Sequence, residues 1–524
     1  MFGAHPMFRI GGGGYQIANS LRFRAVNSAY LSRTFGSPTS STVWTFSAWC
    51  KRGTLGSTSY LLGASTTTNF GFNSSNQLVL TLNGTTACTS TAVFRDPSAW
   101  MHIVYQQNGS AQTIYVNNAS VATGTTAAAI FNTAIAHQVG AANTTNFFDG
   151  HLANVYWIDG QALTPSSFGQ TDATTGVWVP KAYSGTYGTN GFFLQFKNAT
   201  STTTIGYDTS GNSNNFTTSG ISVTAGATFD QMLDTPTLNY AVMSTVDKGV
   251  SMSTSNAGLR ISNTSGGSFE RIRSSIGVTT GKWYAEFVID TESAPSRLQA
   301  GLMAGSAGIT TSFLGNGDVL SWSIYESGGS LYKVYNSTAT LYVSGGTLDP
   351  TDVHMLAYDA DAGKFWYGKN GTWFASGNPA SGTNEMFSSV SASGQAMFFA
   401  SSAYTSSDLG TWNFGQRAFS YTPPSGFKAL STANIASTAV TTSGSFTGNA
   451  AADGPFVWTN GNPATLTING NAVTFGTHAD KTAGGFKLRT ASASYNASGS
   501  NSWTATAGKR FVQVKKPNNA QANP

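Results

Sequence analysis

The sequence predicts an all-β molecule made of tandem antiparallel sandwiches, and three observations carry that expectation. Short apolar and aromatic runs, many of them alternating, recur from Tyr15 to the end of the chain; period-two alternation is what a strand with one buried face requires. Between the runs lie turns rich in Asn, Ser, Thr and Gly, the last numbering 59 in 524 residues, as hairpin loops demand. The 3.6-residue periodicity of amphipathic helices is almost absent.

In chain order, residues 1–14 read as an arm, with Gly11 to Gly14 as a flexible joint. From 15 to 225 the strand candidates are SLRF, VWTFSAWCKR, SYLLGA, NFGFN, QLVLTLNG, WMHIVYQQ, QTIYVNNASV, GHLANVYWIDG and GFFLQFKN. These suffice for two packed sheets. Residues 226–245, GATFDQMLDTPTLNYAVMST, read as a connector. A second sandwich is expected over 246–430, from GKWYAEFVID, LQAGLMAG, GNGDVLSWSIY, HMLAYDADAGKFWYGKNGTWF, AMFFASSAY and WNFGQRAFSYTPPSGFKAL. The remaining 431–524, with ATLTINGNAVTFG and KRFVQVKK, reads as a small β module with a basic, frayed tail.

The segment DAGKFWYGKNGTWFASG, residues 361–377, crowds five rings around an Asn-Gly pair. Asn370-Gly371 suits a two-residue type I′ turn, which needs positive φ at both central positions; Lys369 then faces Thr372 and Tyr367 faces Phe374. Phe365, Tyr367 and Phe374 share the face assigned to the core. Trp366 and Trp373 fall on the other face as diagonal neighbours. They are the candidate ligand-binding residues, able to stack on a sugar ring or a partner's loop. The competing reading has a second sheet covering them, since Trp is largely buried on average.

Only 9% of residues are charged, against about 25% in an average soluble protein. A polar, uncharged surface of this kind is commoner in extracellular and virion fibre proteins than in cytosolic enzymes. The net charge of +5 divides into +7 over residues 1–95, −9 over 96–480 and +7 over 481–524. Basic ends around an acidic middle suit docking to an acidic partner or to that middle, and Arg9, Arg22 and Arg24 are the candidate anchoring residues. Neither end carries a nucleic-acid-binding motif, so no nucleic-acid partner is expected. No run approaches the ~18–20 apolar residues of a membrane span, and the opening MFGAHPMFRIGGGG lacks an apolar core of signal-peptide length, which argues against export by that route. Cys50 and Cys88, the only cysteines, make no disulfide framework, and no Cys/His cluster has zinc spacing. No cofactor or metal is expected.

WTFSAWCKR, WMHIVYQQNGSAQTIYVNNASVA and FFDGHLANVYWIDGQALTPSSF, in that order, resemble the early strand, central hairpin and closing strand of laminin G-like, concanavalin-type sandwiches, over about 200 residues. The phrases of the second sandwich resemble SPRY domains over about 180 residues, a family in which loops at one rim usually grip the partner. With GVWVPKAYSGTYGTNGFFLQF and YDTSGNSNNFT between them, the order of the pieces is similar to large virion or tail proteins of tailed bacteriophages, where lectin-like sandwiches follow a short anchoring N terminus.

Concanavalin-type folds also host glycoside hydrolases, whose retaining members need two carboxyl groups about 5–5.5 Å apart. In EFVIDTE, Asp290 and Glu292 share a face of an extended strand, but Val288 interrupts the row before Glu286; these read as polar residues at a strand end. Asp359 and Asp361 enter a hairpin and read as turn formers, with calcium ligation the lesser reading. Asp208, Ser210, Asn212 and Asn214 alternate as in an EF-hand, yet Ser213 and Ser219 stand where Gly and Glu are needed. The laminin G-like resemblance offers Asp149, in FDG, as a cation ligand, while the commoner reading of such a residue is a turn former. His5, His102, His137, His151, His354 and His478 are scattered, His102 reading as a strand residue beside Trp100. No catalytic residue is expected.

The expectation is a non-enzymatic virion protein, a tail fibre or tail-associated adhesin. Its arm would dock on other virion proteins, and its sandwiches would bind host-surface glycan or neighbouring subunits. By the same analogy it would form a homo-oligomer, a trimer or a ring. Two alternatives stand beside this: a purely structural capsid-decoration or tail-nozzle component, and a polysaccharide-degrading enzyme on a concanavalin-type fold.

Overall fold

A computed structural model describes residues 14–435, apart from 127–130, 174, 310–311 and 391–393, and beyond 435 the backbone of a set of strands. The chain is all-β, in tandem sandwiches. One sheet of the first sandwich runs in the order Ala119–Gly124, Ala111–Val116, Met101–Asn108, Val43–Arg52, Gly150–Asp159, Ser20–Phe23 and Gln231–Met232, with Phe192–Leu194 joined to Gly150–Asp159. Against it packs a sheet in the order Thr217–Ser219, Tyr30–Thr34, Ala136–Val139, Ser59–Ser65, Thr68–Phe72, Leu78–Leu82 and Thr85–Thr89. Alternation puts Trp44, Phe46, Ala48 and Cys50 into the shared core, where Trp44 stacks on Trp157 with ring centroids 4.3 Å apart. The other face of this sheet is buried too, because the chain after Asp159 folds back over it and sets Phe168 and Tyr183 against Tyr156.

The second sandwich follows the same plan. One sheet runs Met243–Lys248, Glu270–Val278, Met397–Ala403, Leu298–Ala304, Ser321–Ser327, Ser330–Tyr335 and Thr338–Val343. The other runs Met252–Ser255, Arg260–Asn263, Leu409–Asn413, Lys282–Thr291, Val353–Asp359, Lys364–Lys369 and Thr372–Trp373, with Lys428–Ala429 lying parallel to Lys282–Thr291. Trp283, Phe287, Trp322, Phe365, Tyr367, Phe399 and Trp412 fill the space between them.

Residues 226–245 do more than connect. Gln231–Met232 pairs with Ser20–Leu21 and so belongs to the first sandwich, while the Met232 side chain sits in the core of the second. Two buried acids flank that strand. Asp230 Oδ1 accepts from Arg22 Nε and Arg24 Nε, each at 2.9 Å, and Asp230 Oδ2 from Arg24 Nη2 at 2.9 Å. Asp234 accepts from Lys51 Nζ at 2.7 Å and from Trp100 Nε1 at 2.9 Å. Lys51 spends its other protons on Asn239 Oδ1 and the Tyr240 carbonyl. From the second sandwich, the Gln416 carbonyl accepts the Leu233 amide at 2.7 Å, and the Leu430 carbonyl accepts the Ala241 amide at 3.0 Å. A further link joins Asp149 to the amides of Asn256 and Ala257. There the backbones approach so closely that a Cβ on Gly53 would lie 2.4 Å from Ala257 Cα.

The two sandwiches therefore form one compact unit, ending at Ile435. The second unit, Ala436–Pro524, contains two antiparallel sheets, one ordered Ser443–Thr447, Ser500–Ala505, Leu466–Ile468 and Asn471–Ala472, the other Phe475–Ala483, Phe486–Ala491, Phe456–Thr459 and Phe511–Val514.

Removing one partner of a buried pair strands the other charge, at a cost of about 3–5 kcal/mol. Asp234→Ala, which orphans Lys51, should lower the stability of the tandem unit by that order in thermal unfolding; a change within about 0.5 kcal/mol would show that the pair contributes nothing. The buried histidines predict the pH dependence. Burial pushes the imidazoles of His102, His137 and His354 down to about 3, 4 and 4, and that of His151 well below its ordinary value. The unfolded chain therefore takes up protons as pH falls through about 6.5 while the folded chain does not. Burial acts in the opposite sense on Asp149 and Glu292, whose carboxyls rise to about 6 and about 7, so the folded chain binds those two protons first. The four imidazoles outweigh the two carboxyls, by roughly 1.4 kcal/mol per pH unit for each net proton. Tm should fall steadily from pH 6.5 to pH 4, and a flat or rising Tm over that window contradicts this account.

Candidate binding surface

The Asn370-Gly371 turn forms as expected, with φ of 49° and 84° and Lys369 opposite Thr372. Phe365 and Tyr367 enter the core, and the Phe374 ring packs against it, parallel to Tyr367 at 6.3 Å. Trp366 lies beyond the reach of any ligand. It is fully buried, and its Nε1 donates to the Thr383 carbonyl at 2.9 Å. What covers it is the chain's own return: Lys428–Ala429 pairs beside Trp283–Tyr284, and the preceding residues lay Phe419, Tyr421 and Phe427 over the face that holds Tyr284, Trp366 and the half-buried Trp373. The expected platform is thus a second hydrophobic layer. Arg22 and Arg24 are corrected for a similar reason, since both are buried against Asp230 and present nothing to an outside partner. Arg9 lies outside the described residues.

The acids considered for catalysis or metal binding are engaged elsewhere. A bulge between Ile289 and Thr291 breaks the alternation that would have set Asp290 beside Glu292. Asp290 binds Arg260 and Thr411 Oγ1, whereas Glu292 accepts the Leu298 amide at 2.7 Å. Glu286 accepts the amides of Ser420 and Tyr421 and the Tyr284 hydroxyl. Asp359 caps its turn through the amides of Asp361 and Ala362 and pairs with Lys282; Asp361 accepts the Gly281 amide. Asp208 gathers the amides of Phe193, Ser210 and Asn214.

Among the described residues one Ser–His contact exists, Ser47 Oγ to His102 Nε2 at 2.8 Å. Trp178 Nε1 can only donate, and it donates to His102 Nδ1 at 3.0 Å. That leaves the proton on Nε2, pointing at the serine, the reverse of what a general base needs. His102 stacks on Trp49 with ring centroids 5.0 Å apart and meets the Trp178 indole edge to edge through that hydrogen bond.

Half-exposed rings gather instead on the outer face of the other sheet of the second sandwich. Tyr325 and Tyr332 are direct cross-strand partners, with ring centroids 5.8 Å apart. Phe313 lies 6.5 Å from Tyr325 and nearly parallel to it, Phe269 is 5.3 Å from Phe313, and Tyr404 is 4.9 Å from Phe269. The Arg297 guanidinium closes the row, 3.9 Å above the Tyr404 ring. At the opposite end, Tyr332 faces Leu341, which is 54% exposed. Phe269, Arg297 and Tyr404 sit at strand ends, so the band runs from the rim onto the sheet.

Arg271 holds the band's loop in place. Fully buried, it donates to the carbonyls of Gly308, Ser312, Phe313 and Asn316 and pairs with Asp318. Burial pushes the Asp318 carboxyl up, but the bonds from Arg271, the Leu320 amide and Ser321 outweigh it and keep the group below its ordinary value. These residues were not singled out from the sequence. The one local signal was Tyr325, a ring at an alternate position that serines occupy in SWSIY; the other rings come from distant loops.

Residues 26–168 match a family described as the concanavalin A-like lectin/glucanases superfamily, laminin G type. No curated protein matches the chain. Among solved structures the chain is similar to the TRIM65 PSpry domain, at 13% identity over 33% of this chain and 90% of that one, with a TM-score of 0.26. It is also similar to the SPRY domain of human HERC1, at 19% identity, 30% and 91% coverage and a TM-score of 0.24. A human SPRY domain follows at 16% identity, 31% and 94% coverage and a TM-score of 0.23. The chain thus holds a concanavalin-like, laminin G-like domain in its first sandwich and has SPRY domains among its structural neighbours.

Proposed function

We propose that the chain is a non-catalytic virion adhesin of the tail-fibre type that binds host-surface glycan on the aromatic band of its second sandwich. The observation that carries this reading is the band itself, a row of half-exposed rings from Tyr404 to Tyr332 on a loop and strands braced by Arg271. Rings already held in place lose little entropy when they bind. Their apolar faces suit the C–H faces of pyranose rings, while the tyrosine hydroxyls and Arg297 suit sugar hydroxyls. A chain with 9% charged residues also suits a neutral polymer. The family matched by residues 26–168 includes lectins by its description; it names glucanases as well, and against catalysis stand the engaged acids and the reversed Ser47–His102 bond. The virion setting, an N-terminal arm docking on other virion proteins and a trimeric or ring-shaped assembly rest on the order of the modules. With Arg22 and Arg24 buried, Arg9 is the arm's remaining anchoring candidate.

A structural role is favoured by a different feature. Thr338–Val343, TATLYV, is an uncharged edge strand exposed over its first four residues, and such an edge can pair with another subunit.

Truncating Tyr325 and Tyr332 together to Ala should weaken binding to glycan arrays or host cells roughly tenfold or more, at about 0.5–1.5 kcal/mol per ring, while Tm changes by less than about 2 °C. Undiminished binding by that double variant removes the band from the function. Native chain that binds neither sugars nor cells favours the structural role, and release of oligosaccharides from a surface polymer would establish the enzyme.

A further inference from the structure

Cations crowd the joint between the sandwiches, and several of their buried donors have no partner within the protein. Arg22 commits Nε to Asp230 and Nη2 to the Ala227 and Phe229 carbonyls, but its buried Nη1 has no partner. Arg417, supplied by the second sandwich just after Leu409–Asn413, is 5% exposed, and its Nη1 likewise has none. Beside it, Gln416 uses Oε1 on the Phe414 amide and its carbonyl on Leu233, leaving Nε2 buried and unpartnered. His151, the cross-strand neighbour of Arg22 on one side and Lys51 on the other, is fully buried with both ring nitrogens unpartnered.

Backbone pairing brings these groups toward one another: Arg22 lies across the ladder from His151 and binds Asp230, and Leu233, three residues past Asp230, donates its amide to Gln416, the residue before Arg417. Arg22 and Asp230 both act electrostatically on Arg417, whose guanidinium burial pushes down to about 9, and Arg22 and Lys51 act on His151. The acids around them have other duties. Asp230 is divided between Arg22 and Arg24, Asp149 holds two backbone amides, Glu286 holds two more, and Asp290 is paired with Arg260. Buried donors left unmade cost about 1–3 kcal/mol each, and more when charged.

Water would satisfy single bonds without cancelling the repulsion between two guanidiniums. A monatomic anion accepts from several donors at once and brings no proton of its own to place. Donors this deeply buried favour a small ion over a bulky carboxylate or phosphate ester. We propose that the joint binds one small inorganic anion of the halide class between Arg22 Nη1 and Arg417 Nη1, with Gln416 Nε2 and the His151 N–H as additional donors, and that this ion locks the sandwiches together.

The test is thermal unfolding of the full chain at fixed pH and ionic strength in sodium chloride, sodium bromide and sodium gluconate. Because an ion that binds only the folded state raises its stability by mass action, Tm should be higher by roughly 2 °C in chloride and bromide than in gluconate. The difference should vanish in R417M, which keeps the stem and removes the charge. Crystals grown in bromide should show an anomalous peak between Arg22 and Arg417. Equal Tm in the three salts, a halide effect that survives in R417M, or ordered water without anomalous signal at that position would each overturn the proposal. Should R417M fail to fold, the bromide measurement on the native chain decides alone.

Discussion

Everything else in the tandem unit depends on neutralising the cations buried where the sandwiches meet. Arg22 and Lys51 lie on strands of the first sandwich and Arg24 just past the end of one, and all three have almost no contact with solvent. Leaving such charges unpaired in a low-dielectric interior costs several kcal/mol apiece. Asp230 and Asp234 supply the counter-charges, and they do so from one short segment, so a piece of chain that could have been a tether is pinned at both ends. Between these acids Met232 commits to the second core. Position and charge together make residues 226–245 a rivet.

The same economy of surface governs each sandwich. In both, one sheet is apolar on its two faces, and the chain itself supplies the outer cover: Phe168 and Tyr183 in the first, Phe419, Tyr421 and Phe427 in the second. This explains how a chain with so few charges can place so many rings without exposing them. It also explains why the richest aromatic segment, the hairpin around Asn370, is structural. A continuous row of half-exposed rings lies on the opposite sheet of the second sandwich, where Arg271 spends its whole donor set on a loop rather than on a partner.

Acidic residues are spent in a comparable way. Glu286, Asp149, Asp208 and Asp359 each receive two or more backbone amides or side-chain donors. In a protein of loops and hairpins, buried amides outside the ladders need acceptors, and carboxylates serve that need in the positions where an enzyme would hold them free.

Local information was sufficient for much of this. Alternation, turn residues and the Asn-Gly pair determined that the chain is all-β, that Lys369 faces Thr372 and that Phe365 and Tyr367 point into a core, because side-chain direction in a strand and the φ demands of a two-residue turn are local properties. The tertiary structure alone decided which of the two faces of a doubly apolar strand stays uncovered, whether Asp290 and Glu292 meet, and whether Arg22 and Arg24 reach solvent. Those outcomes turn on a bulge at residue 290, a return strand some 60 residues downstream of Trp366 and acids some 200 residues from their arginines. Burial and charge pairing are set by what packs against a residue, and period-two alternation carries no information about that.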